Sequence, residues 1–181
     1  MGSKTKKKML MFLFVVVQIL TNSCTQSSTQ LIKVNHFHNG IMTQTTDAIM
    51  IKQEGQEKTF YTYYDSIKSD SSIIMEVVYS KDRNYIEYNK TKCTNISDNQ
   101  YFIDGNACNV GKYLLDKENV QDEELLIFFN EKYGVIIEYS EPWSTYRTYK
   151  TDSLSAILVD NVLKKELNPL EKKLPEPTGK Q

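Results

Sequence analysis

Few residues in this 181-residue chain have chemical potential by type and spacing. His36 and His38 are its only histidines. At i and i+2 they face the same side of a strand, a spacing that suits two zinc ligands. A zinc site needs a third ligand in a fixed geometry, and no sequence neighbour supplies one. The pair therefore reads as a solvated hairpin end, with no metal and no cofactor expected. Nucleophilic catalysis lacks a G-x-S-x-G elbow and any base beyond these two histidines. Phosphate cradling lacks both G-x-x-x-x-G-K-[ST] and G-x-G-x-x-G, in a chain with seven glycines. The carboxylate pairs Glu123 with Glu124 and Glu138 with Glu141 read as solvated charges on strand edges, since a general acid needs a buried, perturbed carboxyl. Catalysis is not expected.

Three cysteines are present. Cys24 closes an N-terminal leader. Cys93 and Cys108 remain, and an even count in an exported chain favours one disulfide. The bond would close a loop of about 16 residues and contribute about 3 kcal/mol. It requires that Gln100–Ile103 be a short or displaced strand. In a simple meander the two cysteines lie two strand spacings apart, about 9–10 Å, and a disulfide needs Cα atoms within about 7 Å.

The one compositional excess is tyrosine, twelve in all, with eight of them between Tyr61 and Tyr113 on expected strands. An apolar body with a polar tip suits sheet-surface packing. Several rings exposed together would instead make an aromatic face for a glycan or protein partner. Asn89-Lys90-Thr91 and Asn95-Ile96-Ser97 match the N-glycosylation sequon. Asp65-Ser66-Ile67 and Asp152-Ser153-Leu154 resemble O-glycosylation sites of some bacterial envelope proteins.

The elements that must carry these residues are mostly strands. Leu31–His38 and Ile41–Lys52 flank Asn39-Gly40, the strongest short hairpin signal. Thr59–Tyr64 follows a turn at Glu54-Gly55. Ser72–Tyr79 follows, with Ile73, Met75, Val77 and Tyr79 on one face, and Lys81-Asp82-Arg83 turns into a strand at Asn84–Lys92. Thr94–Asn99 reads as a polar loop. Gln100–Ile103 and Asn106–Leu115 flank Asp104-Gly105, and Asp116–Glu123 reads as a loop. Leu125–Phe129 and Val135–Tyr139 form a hairpin with a longer connection, and Ser144–Lys150 is the last strand. Leu125-Leu126-Ile127-Phe128-Phe129 shows no alternation, so it is expected to be covered on both faces. Ile127 and Phe129 point one way, Leu126 and Phe128 the other. Leu154, Ile157, Leu158 and Val162 form a helical stripe within Leu154–Leu167. Asp152 or Ser153 caps its start, and Pro169 limits its end.

The first 24 residues set the compartment. Lys4, Lys6, Lys7 and Lys8 precede an apolar run from Met9 to Leu20 broken only by Gln18. The run is too short to span a bilayer, which takes about 20 apolar residues, and fits the core of an export leader. With Ser23-Cys24 at its end, the leader resembles those of bacterial lipoprotein precursors, in which the cysteine is lipidated and becomes the first mature residue. That resemblance implies a signal peptide over 1–23, lipidation at Cys24 and a stable membrane anchor. An ordinary secretory leader cut near Ser23 is the alternative. Without the leader, 157 residues remain, with 18 basic and 23 acidic side chains. That net charge of −5 speaks against nucleic-acid binding. Arg83 and Arg147 are the only arginines.

The expected organisation is a polar tether over 24–30, one β-rich domain over 31–168 and a frayed tail over 169–181. The expected fold is mainly β, an antiparallel sandwich or half-open barrel of about ten short strands with one C-terminal helix. The reading is an envelope lipoprotein, periplasmic or in the outer membrane. It acts by binding or as a structural part, with an envelope protein or glycan as the kind of partner open to it. In outline the domain is also similar to the LolA/LolB-like carriers of lipoproteins and lipids, which implies an open apolar cavity. A secreted glycoprotein without a lipid anchor is the further alternative.

Overall fold

The computed structural model describes residues 26–66, 72–116 and 124–167. Cys24, the leader, most of the expected loop after Asp116 and the tail from residue 168 lie outside them. Eleven described strands run in chain order: β1 Gln26–His38, β2 Ile41–Glu54, β3 Lys58–Asp65, β4 Ile73–Ser80, β5 Tyr85–Tyr88, β6 Thr91–Lys92, β7 Thr94–Ile103, β8 Asn106–Leu115, β9 Leu125–Asn130, β10 Gly134–Ser140 and β11 Thr145–Lys150. Helix α1 spans Ser153–Val162 and continues as a π-helical turn, Leu163–Leu167.

All ladders are antiparallel, in the order β6-β5-β4-β3-β2-β1-β11-β10-β9-β8-β7. The two ends of that order, β6 and β7, are separated in sequence by Cys93 alone. A single bent segment thus pairs with β5 on one side and β8 on the other, bringing a meander to a nearly closed barrel and leaving little open edge. Of the two expected architectures, the barrel is the one formed.

Turn chemistry explains the hairpins. Asn39-Gly40 and Asp104-Gly105 both take positive φ at each position (50° and 75°, 49° and 78°), the backbone that matches strand twist in two-residue loops. Asn89 and Lys90 do the same at 46° and 69°, so Asn84–Lys92 is the β5–β6 hairpin rather than one strand. Lysine carries no turn signal, which is why sequence reading misses it. Two polar stretches also fold differently from expectation. Gln26–Gln30, read as tether, pairs with Met50–Glu54. Thr94–Asn99, read as loop, pairs with β8 from Leu114 to Val110. In both, backbone pairing decides the conformation, while mostly polar side chains point to solvent.

Alternate residues fill the barrel. Ile32, Met50, Tyr63, Ile86, Ile127 and Val135 are each fully buried inside it. A second cluster lies outside, where α1 covers the far side of β7–β11, with Leu158, Val159 and Val162 against Phe128, Ile136 and Ile137. The β9 run therefore serves both cores, with Ile127 and Phe129 inward and Phe128 toward the helix, all three buried. Leu125 and Leu126 are half-buried. Asp152 caps α1 by accepting from the Ser155 N–H at 2.7 Å, with Ser155 returning a bond to the cap backbone. Ile157 was expected on the buried stripe but is 43% exposed, and Val159 takes that place.

The expected Cys93–Cys108 disulfide is not formed, and both thiols are free. Cys93 lies in the barrel core and Cys108 packs against the helix-backed cluster. Thr94 faces Leu114, whereas Cys108 faces Tyr101. Six residues of strand separate Cys108 from Leu114, about 20 Å at the strand rise, far beyond bonding reach. The objection from Gln100–Ile103 disappears because β7 is ten residues long, but that length carries the cysteines apart. Burial pushes the Cys93 thiol up to about 11, away from thiolate reactivity.

Candidate functional site

Among the described residues two charged side chains are buried inside the barrel. Lys52, near the end where β1 begins, is 9% exposed, pairs with Glu54 at 2.5 Å and stands over the Tyr61 ring. Glu138, on β10 near the opposite end, is 3% exposed. An alternation of inward residues along β10 places it there: Glu138 faces Ile127 of β9 and Arg147 of β11. The reading of Glu138 as a solvated edge charge is therefore corrected. Its supposed partner Glu141 is exposed on the next turn.

A buried carboxylate needs donors, and three converge on it. The Tyr88 hydroxyl donates to one oxygen at 2.5 Å, the Tyr149 hydroxyl to the other at 2.7 Å, and Arg147 approaches the same oxygen at 3.5 Å. Burial, then the Glu138 charge, holds both phenols well above their ordinary range, so they stay protonated donors. Arg147 keeps about half of its side chain in solvent and holds donors free of Glu138. His36 lies beside it, its Nε2 3.4 Å from Thr46 Oγ1. Burial, then the Arg147 charge, lowers the imidazole below its usual value, with Glu138 opposing.

Glu138, Tyr88, Arg147 and His36 line a cleft of about 370 Å³ at the barrel mouth. Its walls come from the end of β1, the start of β2, the end of β10 and the start of β11. A bulge opposite His36/Phe37 leaves Thr43 of β2 as the extra residue, a device common at barrel rims. His36 and His38, two residues apart on β1, both line the cleft by ordinary strand alternation, and Phe37 between them borders it. Phe37 stacks on Tyr146 with ring centroids 4.4 Å apart and planes 7° apart. Among the described residues no group of three or more His, Cys, Asp or Glu could hold a metal ion. An adjoining recess of about 380 Å³ shares His36 and Arg147 and adds Asp47 and Asp65.

Below the mouth the barrel is occupied. The rings of Tyr61, Tyr79 and Tyr113 meet Phe129 with centroids 5.3, 5.2 and 6.4 Å away. The Tyr61 hydroxyl donates to the Glu131 carbonyl at 2.6 Å, and the Val135 N–H donates to the Tyr63 hydroxyl at 2.9 Å. Tyr61, Tyr63 and Tyr113 are thus lumen fillers, neither surface packing nor an exposed aromatic face.

Sequence reasoning found His36 and His38 and missed Glu138, Tyr88, Tyr149 and Arg147. One signal was present: Glu138 interrupts the apolar run Val135-Ile136-Ile137, where a solvated charge does not belong. No family model and no curated protein matches the chain. Among solved structures it is similar to a DUF1329 family protein from Desulfovibrio piger, with 6% identity, 76% of this chain and 88% of that chain covered, and a TM-score of 0.25.

Proposed function

We propose that this chain is an exported envelope lipoprotein, anchored through Cys24, that acts by binding a small polar ligand at the barrel mouth rather than by catalysis. The observation that carries the reading is the half-open cleft over the Glu138 network, with mixed donors and acceptors above a filled lumen. Its volume falls within the range of small-molecule sites, about 300–1,000 Å³. Glu138 is held by its neighbours and poised to orient a ligand, with Arg147 presenting donors to solvent.

Anchoring at the N-terminus suits this role. β1 starts at the end opposite the mouth, where Gln26 pairs with Glu54 and a shallow cleft opens beside Lys52 and Glu131, and ends at the mouth. Thirteen residues of strand separate Gln26 from the mouth by about 40 Å, so an anchor at Cys24 would leave the mouth away from the membrane. The LolA/LolB-like carrier reading fits less well. Fully buried inward residues such as Tyr63 and Ile127 line no space that water can enter, and an acyl chain needs such space.

Membrane fractionation with acyl-chain labelling of wild type and Cys24→Ala tests the anchor. The label should follow wild type into the membrane and be absent from the variant. A wild-type protein that remains soluble and unlabelled overturns the anchor. Saturable uptake of a fluorescent fatty acid into the barrel would overturn the choice of mouth binding over carriage.

A further inference from the structure

We infer that the ligand of the mouth is a short neutral saccharide, a conclusion that rests on the reading of the mouth as the binding site. A sugar ring has apolar C–H faces and a rim of hydroxyls, each of which both donates and accepts. The cleft offers a surface for each part.

The flat part is the stacked pair Phe37–Tyr146, which borders the cleft on the side where Tyr146 also packs against the helix-backed cluster. Aromatic rings give large contact area at low entropic cost and tolerate polar neighbours. The rim part is a set of intermixed donors and acceptors: Arg147 and His36 beside Glu138, with the hydroxyls of Thr43, Ser140 and Thr145. Arg147 and Glu138 stand 3.5 Å apart with the guanidinium half in solvent, and a planar guanidinium fork binds neighbouring oxygens in pairs.

Charge excludes the other ligand classes. In the cleft the Arg147 cation faces the Glu138 carboxylate, and the lowered His36 leaves the imidazole uncharged at neutral pH. No unmatched cation remains there to hold a phosphate or a carboxylate. Asp47 and Asp65 line the adjoining recess and repel an anion further. A fatty chain finds polar groups across the base of the cleft, which it would have to desolvate without replacing their hydrogen bonds. A neutral, hydroxyl-rich ligand meets neither penalty.

The chain carries its own reporter. Trp143 is its only tryptophan. It is 63% exposed on the β10–β11 turn, which bonds to the β1–β2 turn through the Asn39 N–H and the Ser144 carbonyl at 2.9 Å. These two turns form the rim of the cleft.

The experiment titrates Trp143 emission of the full mature chain in detergent. The probes are neutral oligomers of glucose, galactose, mannose and N-acetylglucosamine, with oligogalacturonate, inorganic phosphate and palmitate as comparators. At least one neutral oligomer should give a saturable change and the comparators none. Arg147→Ala and Tyr146→Ala should each weaken that response at least tenfold, with the milder Tyr146→Phe and Glu138→Gln guarding against loss of fold. Ile157→Ser, on the outer face of α1, should leave it unchanged. A saturable response to a comparator alone, removed by Arg147→Ala, overturns the saccharide and keeps the mouth. A saturable response untouched by Arg147→Ala and Tyr146→Ala overturns both. Silence across the neutral oligomers overturns the saccharide.

Discussion

The two ends of this barrel use the same residue type for different ends. At the end opposite the mouth, tyrosine hydroxyls bond to backbone: Tyr61 to the Glu131 carbonyl and Tyr63 to the Val135 N–H. These bonds tie β3 to the β9–β10 hairpin across the lumen. At the mouth, Tyr88 and Tyr149 bond to one side chain, Glu138. A backbone partner is fixed by the ladder around it, so the far end behaves as a staple. A side-chain partner beside solvent can exchange a bond with water or a ligand at small cost. Stability should therefore concentrate at the far end and binding at the mouth.

The sharpest way to break that comparison is to empty the aromatic core toward the far end. Phe129→Ala removes the ring on which Tyr61, Tyr79 and Tyr113 converge. It should cost about 3–5 kcal/mol in denaturant unfolding. A loss near 1 kcal/mol would mean that the staple is not where stability resides.

Gly134→Ala is the next test. Gly134 has φ +73°, and an added Cβ would lie 2.3 Å from the Tyr63 hydroxyl and 3.1 Å from Met50 Sδ. Overpacking and backbone strain together predict a loss of about 2–4 kcal/mol. Tyr63→Phe on the same background should recover part of it by removing the clashing oxygen. Simple additivity of the two changes would show that the contact is not the cause.

A matched pair of hydroxyl deletions compares the ends directly. Tyr63→Phe leaves the Val135 N–H buried without its acceptor and should cost about 1–3 kcal/mol. Tyr88→Phe lets water reach Glu138 from the cleft and should cost about 0.5–1.5 kcal/mol, yet it should alter ligand binding where Tyr63→Phe does not. A larger stability loss at Tyr88 would reverse the assignment of roles.

The smallest effect is pH dependence at the mouth. His36 titrates lower in the folded chain than in the unfolded one. The unfolded chain therefore takes up a proton first as pH falls. The contribution of neutral His36 is fully present above its ordinary value of about 6.5 and is lost as pH drops through it toward the folded value. His36→Gln should flatten that part of the stability–pH profile, and an unchanged profile would separate His36 from the Glu138–Arg147 pair.

Legibility followed locality. Asn39-Gly40, Asp104-Gly105 and the Asp152 cap act within a few residues, and each stands where the sequence places it. The unalternating β9 run was legible too, since coverage on both faces leaves no room for a polar phase. Glu138 was not, because its burial depends on strands whose sequence positions run from Tyr88 to Tyr149. Thr94–Asn99 failed for a related reason. Its side chains are polar, and what makes it a strand is the backbone of β8.

The amino-acid order alone determined that the chain is strand-rich and strongly punctuated, with a capped helix near its C-terminal end. Turns, caps and periodicity are short-range physics, and their residues carry the whole instruction. Only the tertiary structure decided that the meander closes at Cys93, that Cys93 and Cys108 stand about 20 Å apart rather than bonded, and that tyrosines fill the lumen. It also decided that a glutamate from the apolar β10 run meets two phenols and one of two arginines at the mouth. Barrel closure selects which distant strands become neighbours, and a buried charge is stable only where those neighbours bring its donors.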